Sequence, residues 1–413
     1  MFVHLFDEGD TSLRALLGGK GADLAEMTRL GLPVPPGLTI TTEACNYYLQ
    51  HSRKFPNELE QEISAKLKNV ESKTGHVFGD PSNPLLVSVR SGAPVSMPGM
   101  MDTILNLGLN DKTVQGLIRR TSNERFAYDA YRRFVQMFGQ VVMNVKGQNF
   151  EAIIQKQKEK LNAHLDTELD TKTLISLVQE FKQLINRDSG RDFPDDPIQQ
   201  LRMAVAAVFE SWNNRRAEVY RRANKIPDTL GTAVNIQTMV FGNMGPDSGT
   251  GVCFTRNPST GEHVLFGEFL INAQGEDVVA GIRTPEPIER LRDEMPEVHK
   301  QLLDVCGLLE DHFRDMQDIE FTVQKGQLFL LQTRSGKRTA SAAIRMIVEM
   351  VDEGLLSKNE ALLRVQPSQI VQLVHRQIDP SHEGKPVATG LPASPGAATG
   401  KVIFDTDEAH RLG

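Results

Sequence analysis

Residues 16–37, LLGGKGADLAEMTRLGLPVPPG, pose the question that decides the fold. Gly18-Gly19-Lys20-Gly21 runs straight into an apolar pattern with helical spacing. Glycines beside a lysine suit a phosphate, because bare backbone N–H groups can approach the anion and the ammonium can offset its charge. The spacing is not that of a P-loop, which needs G-x-x-x-x-G-K followed by Ser or Thr for the magnesium. Here Gly21 and Ala22 follow Lys20. If Lys20 meets a phosphate, a fold other than the P-loop must bring it there. The alternative is a helix-start turn whose lysine is solvated.

Outward from this stretch, the first hundred residues alternate short apolar runs with helical patterns. GLTITTEA (37–44) and PLLVSVRSG (84–92) read as strands, and Gly21–Gly31 and Asn57–Val70 as helices. From about 110 to 224 the pattern turns to long charged helices. Phe126, Tyr131, Phe134 and Phe138 form an aromatic stripe at helical spacing, which is the signature of core packing. Residues 193–226 read as one further helix opened by proline and acidic residues. Strand character returns at 231–242, 249–258 and 262–281, and a helix is expected from about Glu286 to His312. MQDIEFTVQKGQLFLLQTR (316–334) reads as two alternating strands joined around Gln324-Lys325-Gly326. Two amphipathic helices follow, and then a Gly/Pro/Ala-rich linker entering a new strand.

The bulk numbers exclude several function classes. A chain of 413 residues with 39% hydrophobic and 24% charged residues has ordinary globular composition and room for two to four domains. A net charge of −7 and the lack of a basic stripe with interleaved aromatics argue against a nucleic-acid partner. No apolar run reaches membrane-spanning length. Cys45, Cys253 and Cys306 are scattered and odd in number, which suits buried thiols in a reducing, cytoplasmic compartment.

Three local constellations carry candidate chemistry. In the hairpin, strand periodicity puts Asp318, Glu320 and Thr322 on one face. Paired carboxylates repel unless a cation sits between them, and hard oxygen ligands of this kind suit Mg²⁺. Gln332 and Arg334 share a face of the second strand. The alternative is a solvated strand face. In SVRSGAPVSMPGMMDT (88–103), Arg90 follows a buried-type strand and precedes a long loop carrying Gly92 and Gly99. A guanidinium suits forked recognition of phosphate, and such a loop suits closure over a ligand. A surface arginine before an irregular loop is the competing reading. In DSGTGVCFTRNP (247–258), Gly249-Thr250-Gly251 either aims N–H groups at an anion or makes a glycine hairpin turn. The G-x-G-x-x-G pattern fails there, at Phe254. Together these are the parts needed to hold a nucleoside triphosphate with magnesium.

The blocks LLGGKGADLAEMTRLGLPVPPG, LLVSVRSGAPVSMPGMMDTILNLGLND, GTAVNIQTMVFGN, SGTGVCFTRNPSTGE, LINAQGEDVVAGIRTP and FRDMQDIEFTV resemble the pyruvate, phosphate dikinase family, in order and over nearly the whole chain. MPGMMDT is the specific block: the related phosphoenolpyruvate synthases share GGKGA and VRSS-like elements but not this run. The resemblance implies an α+β, ATP-grasp nucleotide-binding fold, with ATP held between two lobes. By that analogy 1–109 is the first lobe, 110–198 a helical insertion and 199–240 the return to the first lobe. Residues 241–338 are the second lobe with the metal-binding hairpin, 339–386 a helical linker, and 387–413 the start of a swivelling phosphohistidine domain.

The resemblance also implies roles. Lys20 and Arg90 contact the phosphates, Gly99, Thr250 and Gly251 belong to loops over the polyphosphate, and Asp318 and Glu320 carry Mg²⁺. Gln332 and Arg334 lie beside the transferring phosphoryl groups, the backbone at Met239 and Val240 meets adenine, and Glu276 meets the ribose. The family's reaction converts ATP, phosphate and pyruvate into AMP, pyrophosphate and phosphoenolpyruvate through a histidine on the swivelling domain. The family's GGMTSHAA segment and pyruvate-binding barrel do not occur in this sequence. The expectation is thus a phosphoryl-donating, ATP-binding part whose histidine is supplied by another chain or a missing C-terminal part, within a possible homodimer. The rival expectation is a non-catalytic nucleotide-binding or interaction module.

Overall fold

The computed structural model describes residues 1–373 except 98, 276 and 278–282, and beyond them 384, 387, 388, 397, 399–404 and 406–412. Residues 1–252, 268–302 and 319–334 form one compact unit, and 253–267, 303–318 and 335–413 form a second.

The first unit is built on a five-stranded sheet. Its strands are β1 (Val3–Leu5), β2 (Gly37–Ile40), β3 (Val87–Gly92), β4 (Thr103–Leu107) and β5 (Ala233–Thr238), in the order β1-β2-β5-β3-β4. Every neighbouring pair is antiparallel. The central strand comes from a point in the chain some 140 residues after β3, so the helices between them form one long excursion. That excursion is packed, not appended. A single apolar core runs from Ile40, Val89 and Ile236 on the sheet to Phe134, Phe150 and Phe181 on the helices.

The aromatic stripe is core, as expected. It lies on helix Glu124–Val141, whose first turn is capped by the Asn123 side chain accepting from the Phe126 N–H. The Phe134 and Phe138 rings meet edge to face at 5.6 Å. The single helix expected over 193–226 is instead two, Pro197–Ser211 and Arg215–Ala223. Asn214 breaks it: in an extended conformation, its side chain accepts from the Ala217 N–H at 2.8 Å and starts a second helix. The break buries Trp212, with Arg221 stacked 4.1 Å from its ring centre.

A second five-stranded sheet comprises β6 (Gly249–Phe254), β7 (Phe266–Ile271), β8 (Glu286–Pro287), β9 (Gln317–Gln324) and β10 (Gln327–Ser335), in the order β8-β7-β6-β9-β10. The division between the units crosses these strands, at 252/253, 267/268, 318/319 and 334/335. The expected hairpin is β9–β10. Its turn residues Lys325 and Gly326 both take left-handed φ, 51° and 74°, the pattern that matches the twist of two flanking strands. The helix expected from Glu286 begins later. Glu286 and Pro287 pair with β7, and the long helix runs Pro296–Phe313, with proline where a first-turn N–H would have no partner.

In the second unit, helix Ala340–Asp352 is capped by Thr339, and helix Lys358–Arg364 opens on a capping box between Ser357 and Glu360. Helix Pro367–Leu373 follows. Most of 374–398, including the end of the expected linker and the start of the expected swivelling-domain strand, lies outside the described residues. Residues 401–404 are in no regular element and Thr406–Leu412 is a helix. Cys45, Cys253 and Cys306 are free and buried.

Candidate functional site

The glycines of residues 18–21 are occupied by protein. Helix α1 (Arg14–Arg29) is kinked at Gly18, whose φ of 69° and ψ of 171° leave the helical region. A Cβ on Gly18 would lie 1.7 Å from the Gly92 carbonyl oxygen, and one on Gly21 would lie 2.9 Å from Asn235 Oδ1. The Gly19 N–H donates to the Ala93 carbonyl at 2.9 Å. The expected cradle of bare amides is thus corrected at this position. The glycines let α1 approach the backbone of β3 and the side chains of β5 closely, and that approach delivers Lys20.

Lys20 is half-buried, and its side chain makes no hydrogen bond or ion pair among the described residues. Its ammonium pKa falls to about 7, first because burial strips its water, then because Arg90 and Arg334 repel its charge, with Glu320 partly compensating. Arg90, on β3, is buried and reaches the second sheet's hairpin. Its Nη2 donates to Glu320 Oε2 at 3.2 Å, and its Nη1 to the Leu331 carbonyl at 3.3 Å and to Gln237 Oε1 at 3.2 Å. Burial alone would raise the Glu320 pKa; Lys20, Arg90 and Arg334 together outweigh it and hold the carboxyl ionised below its usual range. Three cations therefore act on one carboxylate within the first unit. The Lys20 ammonium itself has no ion-pair partner among the described residues, and a polyanion would supply one.

The other expected residues are placed as follows. Asp318 and Glu320 lie two apart on β9, and Asp318, at 7% exposure, rules out the solvated strand face. Hard carboxylate oxygens, one of them held ionised, fit a Mg²⁺ donor set. Gln332 is buried on β10, and Arg334 is half-buried two residues further along. Gly99 has φ 70° and open space around it, in a loop pinned by Met97, which packs with Trp212 and Ala217. Thr250 and Gly251 are corrected in setting: they form neither a loop nor a hairpin turn but part of strand β6. The Thr250 hydroxyl donates to the Phe321 carbonyl at 3.1 Å, and a Cβ on Gly251 would lie 2.6 Å from the Phe321 ring. Glycine there serves strand packing.

Met239 and Val240 follow β5 and line a cavity of about 540 Å³ walled by Pro35, Leu86, Phe241 and Phe329, a volume that suits a small ligand. The Met239 N–H is taken by the Leu86 carbonyl. A larger cavity, about 980 Å³, lies around Phe55 and Arg202 and holds none of the expected site residues. Glu276 lies outside the described residues; its neighbour Asp277 is paired with Arg133 at 2.9 Å. The reading from sequence missed Gln237 and Asn235. The available signal was two carboxamides at alternate positions, Asn235 and Gln237, among Ala233, Val234 and Ile236 of the strand Ala233–Thr238.

Two sheets, with a cation cluster reaching from α1 and β3 to the hairpin of the second and no P-loop, define an α+β domain of the ATP-grasp type. The sequence model of the family described as "Pyruvate phosphate dikinase, AMP/ATP-binding domain" matches residues 14–54, 51–302 and 288–355. The chain is 54% identical over 99% of its length to the pyruvate, phosphate dikinase of Clostridium symbiosum, covering 47% of that protein. It is 54% identical over 98% of its length to pyruvate, phosphate dikinase 1, chloroplastic, of Arabidopsis thaliana, covering 42%. Against the Rhizobium meliloti (strain 1021) pyruvate, phosphate dikinase it is 53% identical over 97%, covering 46%. The chain therefore belongs to the pyruvate, phosphate dikinase family, within its AMP/ATP-binding domain, and spans a little under half the length of these relatives. No helix among the described residues is long and apolar enough to cross a membrane.

Proposed function

We propose that this chain binds ATP with Mg²⁺ and presents its phosphoryl groups for transfer, as the nucleotide-handling part of a pyruvate, phosphate dikinase. In the whole reaction ATP, phosphate and pyruvate become AMP, pyrophosphate and phosphoenolpyruvate. The observation that carries this reading is the half-buried Lys20 ammonium, without an ion-pair partner among the described residues, beside Arg90 and Arg334. A cation is held in that setting at a cost, and a polyphosphate removes the cost.

In this reading Lys20, Arg90 and Arg334 bind the phosphate oxygens, Gln332 donates to them, and Asp318 with Glu320 holds Mg²⁺. Bound there, the ion would neutralise phosphate charge. The base occupies the cavity at Met239 and Val240. The Val240 N–H and C=O make no hydrogen bond among the described residues, which suits the donor–acceptor edge of adenine. Gly99 and Glu276 complete the nucleotide contacts, whereas Thr250 and Gly251 serve strand packing. Transfer then depends on positioning: an acceptor histidine from a phosphohistidine domain, on another chain or on sequence outside this one, must align with the β-phosphorus.

Calorimetry of the chain with MgATP and with adenosine tests the reading. Saturable binding of ATP at least tenfold tighter than adenosine is expected, and equal affinities would remove the phosphate role from the cation cluster. Addition of a phosphohistidine domain as a separate polypeptide should then yield histidine labelled from β-labelled ATP. Absence of label, with ATP still bound, would leave a binding module only.

A further inference from the structure

We propose that Gln237 is the positioning residue of this site: its side-chain carbonyl holds the Arg90 guanidinium so that two of its donors are left for the phosphates. The proposal rests on the nucleotide reading above and concerns a residue to which that reading gives no part.

A guanidinium has five N–H donors. Both donors of Arg90 Nη1 are occupied, one by Gln237 Oε1 at 3.2 Å and one by the Leu331 carbonyl at 3.3 Å. One donor of Nη2 goes to Glu320 Oε2 at 3.2 Å. The remaining two, one on Nε and one on Nη2, have no partner among the described residues and are the kind of donors that a guanidinium gives to phosphate oxygens. Gln237 thus holds Nη1 and leaves those donors unspent.

The amide of Gln237 is itself fixed. Its Nε2 donates to the Pro35 carbonyl at 3.3 Å, which leaves Oε1 facing Arg90. The residue is 1% exposed, on the central strand β5, paired with Ser88 and diagonal to Arg90, whose direct cross-strand partner is Asn235. Next to it along the same face, Asn235 is fully buried and accepts from Thr39 Oγ1 at 2.8 Å. A carboxamide buried between β2 and β3 costs free energy relative to a leucine or methionine of the same volume unless its hydrogen bonds are made. In Gln237 they are made to one loop carbonyl and to the arginine of the site.

The test is a double-mutant cycle on the full chain, read by calorimetry with MgATP and adenosine. Gln237→Met should weaken MgATP binding about tenfold and leave adenosine within twofold. In an Arg90→Met background the same change should add less than twofold, because Gln237 acts through Arg90. Gln237→Asn, which keeps an amide too short to reach Arg90, should behave as Gln237→Met does, and it carries the test if the methionine variant does not fold. Tenfold losses in both backgrounds, an equal loss for adenosine, or parental ATP affinity in both variants would overturn the proposal. A parent that binds no MgATP would overturn it together with the nucleotide reading, whereas an additive cycle on an ATP-binding parent would overturn this proposal alone.

Discussion

Each unit holds a cluster of buried charge, and the two are built in opposite senses. In the second unit Arg256 is fully buried, and carboxylates surround it. Its Nε donates to Glu310 Oε1 at 2.8 Å, its Nη1 approaches Glu349 at 3.5 Å, and its Nη2 bonds Glu353. Glu310 is steadied by the Thr255 hydroxyl, Glu349 accepts from Arg345 at 2.7 Å, and His263 Nδ1 lies 3.0 Å from Glu353 Oε1. Every nitrogen of that guanidinium has a protein acceptor. In the first unit, among the described residues, the Lys20 ammonium has no direct partner and two donors of Arg90 are left over. Identical side-chain chemistry makes a rivet in one place and, in the proposed reading, a seat for an anion in the other. Saturation, not burial, separates them.

The largest expected effect would break the first half of this contrast. Arg256→Ala strands three carboxylates, and removing one partner of a buried ion pair costs about 3–5 kcal/mol. Urea unfolding should show a loss of that size, with MgATP affinity of the folded protein unchanged. A loss below about 1 kcal/mol would mean that the network is not a rivet. The other half should respond the other way. Lys20→Met removes a charge-assisted contact worth about 2–3 kcal/mol to the bound phosphates, so MgATP affinity should fall by roughly thirty- to a hundred-and-sixtyfold. Unchanged affinity in calorimetry would take Lys20 out of the site.

Stability should move oppositely to affinity in that variant. The folded pKa of Lys20, about 7, lies below the ordinary 10.5, so between those values the unfolded chain holds a proton that the folded chain has lost. Stability of the parent should therefore rise with pH through this window, and below pH 7 the full cost of burying the charge is present. Discounted for the solvent that the half-buried ammonium still meets, Lys20→Met should be more stable by about 1 kcal/mol at pH 6, with the gap closing towards pH 10. A variant less stable than the parent at pH 6 would contradict the cost of burying the Lys20 charge. The finest probe is the proton itself. At pH 8 Lys20 is mostly neutral, and bound phosphates restore its charge. ATP binding should then take up as much as one proton, seen as a dependence of binding heat on the buffer's ionisation enthalpy. That uptake should vanish at pH 6 and in Lys20→Met.

Much of this was legible in the residues. The hairpin could be read because period-2 alternation and a Lys-Gly turn are local properties, and residues 317–335 realise both. The aromatic stripe was legible for the same reason at helical period. The break at Asn214 was less so, since a capping asparagine inside a helical pattern differs from a tolerated one only by its backbone conformation. At the site, Lys20, Arg90 and Glu320 could be nominated by type and setting. Their meeting could not, because they are separated by 70 and 230 residues in the chain. Gln237 went unnoticed because polar residues in a buried strand mean nothing until their partners are known.

The sequence by itself determined the local menu: which segments turn, cap and alternate, which residues can hold phosphate or a hard cation, and, through its ordered blocks, the family. The tertiary structure alone decided what each glycine and each charge is used for. Gly18 and Gly21 permit a close approach only because β3 and β5 lie against them, and Gly251 is a packing residue only because Phe321 crosses it. Whether a buried arginine is saturated or left with open donors depends on acceptors contributed from distant parts of the chain. Electrostatic energy is set by distance in space and by the water removed, and neither quantity is written along the chain.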